Sequence, residues 1–153
     1  MIIKSLKERE KIIVKKFRIF QNWEEKYEYL IELGKKLKKK PNIRSNNKLI
    51  YGCQSKVWID STFDKGRIFF KADSDALLPK GLVSIMIYIY SGLPPYEIIS
   101  SNYHFISKIG FQNFLSPIRA NGIILFIKRI KLYAFYFDKK YLRLIKHNII
   151  KNK

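Results

Sequence analysis

The chain has 153 residues, is 47% hydrophobic and carries a formal charge of +19. That length suits one domain with a real core, and the composition reads as globular rather than disordered. No apolar run reaches the ~20 residues needed to span a bilayer, and the nearest, Leu82 to Tyr90, is far too short. The start, Met1 to Glu8, has neither a long apolar segment nor a small-residue cleavage site, so no secretion signal is expected. Absence of a signal and a single thiol point to a reducing cytoplasm.

The first predicted helix covers Leu6 to about Arg18, with Ile13, Phe17 and Phe20 sharing a face. Asn22, with Glu25 three residues on, reads as a capping box opening a second helix. There Trp23, Tyr27, Leu30, Ile31, Gly34 and Leu37 recur at helical intervals and should face the core. The lysine cluster Lys35 to Lys40 closes that helix, where cations complement the dipole. Residues 41–47, opening with Pro41, form a polar loop.

Strand character follows. Lys48 to Tyr51 is expected as a short strand and Lys56 to Phe63 as a half-buried one. Asp64-Lys65-Gly66 is a turn signal, and Arg67 to Ala72 returns. Asp73-Ser74-Asp75 reads as the start of the next helix, capping or charge-balancing it. Pro79 implies either a tight turn before it or a helix that begins with it. Leu82 to Tyr90 is apolar nearly all round and should be the central buried helix. Ser91 to Pro95 stops it. Short helices are expected at Tyr96 to Ser100 and Phe105 to Phe111. Ser116-Pro117 then starts a long helix to about Phe137, followed by a basic tail.

Cys53 is the only cysteine. It cannot make an internal disulfide or a cysteine cage for a metal, and it cannot hold a cluster unaided. It is either a small buried hydrophobe or a nucleophile or sulfur carrier working alone. A protease-type reading fails because His104 and His147, the two histidines, have no evident orienting partner. The positive charge invites a nucleic-acid reading, and a basic module binding nucleic acid or an acidic protein is the alternative function. Against nucleic acid, 15 of 31 basic residues precede Tyr51 and 16 follow it. The lysines also accompany Ile, Asn, Tyr and Phe, all encoded by A/T-rich codons. No phosphate loop, zinc-finger spacing or RNA-recognition signature is present.

Four segments, in order, resemble the SufE family of cysteine-desulfuration proteins. Asn22-Trp23-Glu24-Glu25-Lys26-Tyr27 with Ile31-Glu32-Leu33-Gly34 is similar to the family's second helix. Gly52-Cys53-Gln54-Ser55-Lys56-Val57-Trp58 resembles its active loop. Asp73-Ser74-Asp75-Ala76 with Lys80-Gly81-Leu82 resembles its third landmark, and Leu115-Ser116-Pro117-x-Arg119-x-x-Gly122 its fourth. The resemblance implies an α+β, SufE/IscU-like domain over residues 1–140, a small antiparallel sheet against several helices, then a basic tail at 141–153. It implies that Cys53 accepts persulfide sulfur from a group II cysteine desulfurase, stimulates that enzyme and passes the sulfur to an iron–sulfur scaffold complex. Such a protein is a carrier and activator rather than a stand-alone enzyme. It has no cofactor of its own, since pyridoxal phosphate belongs to the desulfurase; a homodimer is a further option. Gly52, Gln54 and Ser55 would support the loop. Lys56 and Arg119 are candidate partner contacts, and either would favour the thiolate if it lay near Cys53. Gly52 reads equally as a hinge that lets Cys53 swing into a partner's pocket or as an ordinary turn glycine. Trp58 is a partner anchor or, as is commoner for a strand tryptophan, a core residue.

Overall fold

The computed structural model describes residues 3–53, 55–102, 104–111 and 115–151. Helix α1 spans Leu6–Ile19 and α2 spans Trp23–Lys36. The Ser5 hydroxyl caps α1 by accepting the Glu8 N–H at 3.2 Å. At α2 the side chain of Asn22 accepts from the Glu25 N–H at 2.9 Å, and Glu25 accepts from the Gln21 N–H at 2.8 Å. The first bond is the cap half of a capping box; the return bond from Glu25 reaches one residue further back, to Gln21 instead of the Asn22 N–H. Ile13, Phe17 and Leu30 are buried as expected, but Trp23 is 58% exposed. It stands at the first helical position, ahead of the packed turns, edge-on to the Tyr27 ring.

Strands β1 (Val57–Asp64) and β2 (Arg67–Ser74) form one antiparallel hairpin, paired from Asp64 with Arg67 to Val57 with Ser74. Lys65 and Gly66 turn it with φ of 50° and 80°. Two positive φ values make the tight turn whose twist suits a hairpin. The strand expected at Lys48 to Tyr51 does not form. Those residues begin in a short 3-10 turn, Asn46–Lys48, and contribute only one bridge, Leu49 to Trp58, before Gly52 turns the chain away.

Asp73 and Ser74 end β2 rather than starting a helix. Helix α3 (Leu77–Tyr90) begins after Ala76, whose side chain makes no cap. Pro79 is its third residue, which is neither arrangement expected from the sequence. A missing N–H costs nothing there, because the first-turn amides have no intrahelical acceptor. α3 is buried at Gly81, Leu82, Val83, Ile85, Met86, Ile89 and Tyr90, and forms the centre of the molecule. It packs against α2 on one side and β2 on the other. Short helices α4 (Pro95–Ile99) and α5 (His104–Ile109) follow, packed on the last helix and on α1 respectively. The last helix, α6, covers Pro117–Lys151 and so continues well beyond Phe137 into the basic tail. Its start is as expected: Ser116 Oγ accepts the Arg119 N–H at 3.3 Å, with Pro117 at the first position.

The architecture is therefore α+β, with a two-stranded sheet and helices around α3. Helices α2 and α3 meet backbone to backbone. A Cβ on Gly81 would lie 2.0 Å from the Leu30 carbonyl oxygen, and one on Gly34 would lie 2.2 Å from that of Leu77. Neither oxygen can move without shifting a helix. Gly34→Ala and Gly81→Ala are each expected to cost about 1–3 kcal/mol of stability through overpacking. Urea unfolding will show this as a lower midpoint at an unchanged slope.

Candidate functional site around Cys53

The segment from Tyr51 to Lys56 is a loop closed at its neck. The Ile50 N–H donates to the Val57 carbonyl at 2.8 Å, and Leu49 bridges Trp58. Its far end is tied to the last residue of β2 and the one after it. The Lys56 N–H donates to Asp75 Oδ1 at 3.1 Å, while the Lys56 carbonyl accepts from the Asp75 N–H at 3.2 Å and from Ser74 Oγ at 2.8 Å. Asp75 thus pins the active segment instead of capping α3. Its neighbour Asp73 is fully buried. The Asp73 carboxylate accepts from the Lys40 N–H at 2.9 Å, Arg44 Nε at 2.8 Å and the Ser74 N–H at 2.8 Å. The Arg44 guanidinium also donates to the Ser74 carbonyl and lies 4.7 Å over the Trp58 ring. Trp58 is accordingly a core residue, 7% exposed.

Gly52 has φ of +92°. A Cβ there would sit 2.9 Å from Leu125 Cδ1 on α6, so both conformation and space favour glycine. The next residue, Cys53, is half-buried. Its thiol leans on α6: a Cβ at Gly122 would be 3.5 Å from Cys53 Sγ. Beneath it α3 and α6 enclose a cavity of about 40 Å³. Pro79, Val83 and Met86 line one side and Ile123 and Phe126 the other, with Ser55 at the loop. Among the described residues Arg119 is the one ionised side chain in that lining. Lys56 is exposed at the surface. Gln54 lies outside the described residues.

Of the two cations that would favour the thiolate from nearby, Arg119 shares the cavity lining with Cys53, whereas Lys56 is turned to solvent. Burial pushes the Cys53 thiol up from its ordinary value, and among the described residues no charge interaction offsets it. Of the residues the sequence had brought into consideration, Cys53, Ser55 and Arg119 line one cavity, and Gly52 sits beside it against Leu125. Sequence reasoning missed Asp75 and Ser74 as pins, Pro79 as wall, and Gly122 as the rest for the thiol. The visible signal for the last was the glycine three residues after Arg119, one helical turn on.

Set against known proteins, residues 11–134 match the family described as SufE, Fe-S metabolism associated domain. The chain belongs to the SufE family. SufE membership points to a role in iron–sulfur metabolism. A similar solved structure is the solution structure of a hypothetical protein from Thermus thermophilus, with a TM-score of 0.69 at 16% identity. The match covers 84% of this SufE chain and 94% of that one, and it is a likeness of fold. Among the described residues no helix is long and apolar enough to cross a membrane, and no group of three or more His, Cys, Asp or Glu could hold a metal ion.

Two expectations follow for this SufE protein. Iodoacetamide should alkylate Cys53 of the free protein slowly at neutral pH, with the rate rising only above the ordinary thiol range, because a raised pKa leaves less thiolate. Gly122→Ala, whose Cβ would make an ordinary contact with the thiol, should leave that profile in place, whereas Gly122→Leu displaces Cys53 and speeds alkylation. The second concerns Asp73. Burial alone would push its carboxyl up, but the Arg44 hydrogen bond and the Lys40 and Ser74 amides outweigh burial and hold it below its ordinary 3.8. Its stabilising contribution is thus complete above that value and drains as pH falls through the lower folded one. Asp73→Ala should cost about 3 kcal/mol at neutral pH, because it strands a half-sheltered guanidinium. Thermal unfolding of the two proteins at pH 7 and pH 3 will show the gap narrowing in acid.

Proposed function

We propose that this protein is a sulfur carrier in which Cys53 accepts a sulfane sulfur from the persulfide of a group II cysteine desulfurase, stimulating that enzyme, and yields it to an iron–sulfur scaffold complex. The observation that carries this reading is the placement of the chain's one thiol. It stands on a loop held at both ends, at the mouth of an apolar cavity with a single guanidinium, inside the SufE-matched span. At about 40 Å³ the cavity exceeds the ~10–15 Å³ needed to hold a water, so a further sulfur atom has room there.

The chemistry is exchange between sulfurs. The Cys53 thiolate attacks the outer sulfur of the donor persulfide. A bond forms between Cys53 Sγ and that sulfur, the donor's own S–S bond breaks, and the donor cysteine leaves as a thiolate that takes up the proton Cys53 lost. No net oxidation occurs, so the step needs no further reductant. The pyridoxal phosphate that first releases sulfur from free cysteine belongs to the donor. A thiol pushed up by burial is a poor nucleophile, so Cys53 reacts after leaving its cavity, with Gly52 as the flexible neighbour. Back in the cavity, apolar walls shield a bound persulfide from bulk thiols, with Arg119 in the same lining.

Cys53→Ser tests this directly. With desulfurase and free cysteine, intact-mass measurement of the wild type should show one added sulfur, abolished by prior alkylation. The variant should gain none and lose stimulation of the desulfurase, with an unchanged circular dichroism spectrum and melting temperature. Sulfur on the variant, or stimulation equal to wild type, would sink the proposal.

A further inference from the structure

Helices α1 and α5 enclose a cleft of about 570 Å³ that shares no lining residue with the Cys53 cavity. Along α1 it is lined by Lys7, Lys11, Lys15 and Arg18, and Lys108 faces them from α5. All five are exposed, and none makes an ion pair among the described residues. Among the described residues Glu10 is the one carboxylate in the lining. Unlike the chain's overall charge, which is spread along the sequence, this is a local field: five cations on two facing walls around one acid.

We propose that this cleft docks an acidic helical segment of a partner protein. Residues 7, 11, 15 and 18 follow the three- and four-residue spacing of one helix face, so their charges recur about every 6 Å along the axis. Carboxylates at the same spacing on a partner helix repeat at the same distance, so the two rows can pair throughout. A second copy of this chain does not fit, because its charge of +19 has the same sign. Single-stranded nucleic acid fits less well. It binds by stacking successive bases on a platform of open aromatic faces as well as by charge, whereas among the described lining residues Phe105 is 1% exposed and the His104 ring alone is open. The site is separate from the sulfur chemistry and goes beyond it, since it does not require Cys53.

Fluorescence anisotropy on the full chain tests the assignment. The probe is a labelled helical peptide with glutamates at positions i, i+4, i+8 and i+11, against a permuted peptide of the same composition and a single-stranded oligonucleotide. The patterned peptide should bind more tightly than the permuted one, and less tightly as added salt shortens the screening length below about 10 Å. Lys7→Glu/Lys11→Glu/Lys15→Glu should weaken it by about tenfold or more. The matching triple Gln variant, which disturbs the helix less, should weaken it in the same direction. Glu10→Gln should tighten binding, and Cys53→Ser should leave it unchanged, which separates this site from the sulfur-transfer reading. Equal affinity for both peptides, indifference to the lysine variants, or tighter binding of the oligonucleotide through the same lysines would overturn it.

Discussion

The buried carboxylate of Asp73 is the constraint on which the site depends. Taking a charge out of water is expensive unless it is paired and hydrogen-bonded. Here the donors come from three directions: the Lys40 amide after α2, the Arg44 guanidinium from the next turn, and the Ser74 amide beside it. Satisfying one acid therefore ties the connection after α2 to the open end of the hairpin. Arg44 then lies over Trp58 of β1, so the same cluster grips both strands. The next two residues, Ser74 and Asp75, take hold of Lys56. A consecutive Asp-Ser-Asp thus becomes the foundation of the loop that carries the thiol.

Above that foundation the site meets the two opposing needs that the proposed sulfur-carrier role would impose. A reactive sulfur has to be kept from solvent thiols, yet it has to reach a partner. The cavity between α3 and α6 serves the first need with apolar walls, at the expense of the thiol's acidity. The second is served by a segment of Tyr51 to Lys56 that is held at its ends while Gly52 adopts a backbone conformation that suits glycine. The α2–α3 contact makes the cavity's wall stiff, because the two backbones meet at Gly34 and Gly81 without side chains between them. Charge plays a lesser part at Cys53 than the basic composition invites one to think. It is concentrated instead at the α1–α5 cleft, where four cations of one helix face share a side.

Much of the fold was legible in sequence because local chemistry decided it. The Asn22 cap of α2, the Lys65-Gly66 turn, the apolar α3 and the Ser116-Pro117 start each need only near neighbours, and each stands where expected. The misreadings share a cause. Asp73-Ser74-Asp75 has the composition of a helix cap, but its acceptors were claimed by donors 33 and 29 residues away from Asp73, and by Lys56. Pro79 looked like a break, yet a first-turn position makes its missing N–H harmless. Lys48 to Tyr51 had strand character but meets β1 only at the Leu49–Trp58 bridge before Gly52 turns the chain, and Trp23 had helical phase without a partner layer over it.

By itself, then, the sequence determined that any sulfur chemistry must rest on one residue, since a chain with one cysteine offers one thiol, and it determined the helices and hairpin whose signals are local. Only the tertiary structure decided the surroundings of that thiol. Burial, the lean of Cys53 on Gly122, the company of Arg119 and the pinning by Asp75 all join residues far apart in the chain. The pKa of a thiol depends on what surrounds it in space, and spacing along a chain does not specify that until the helices have packed.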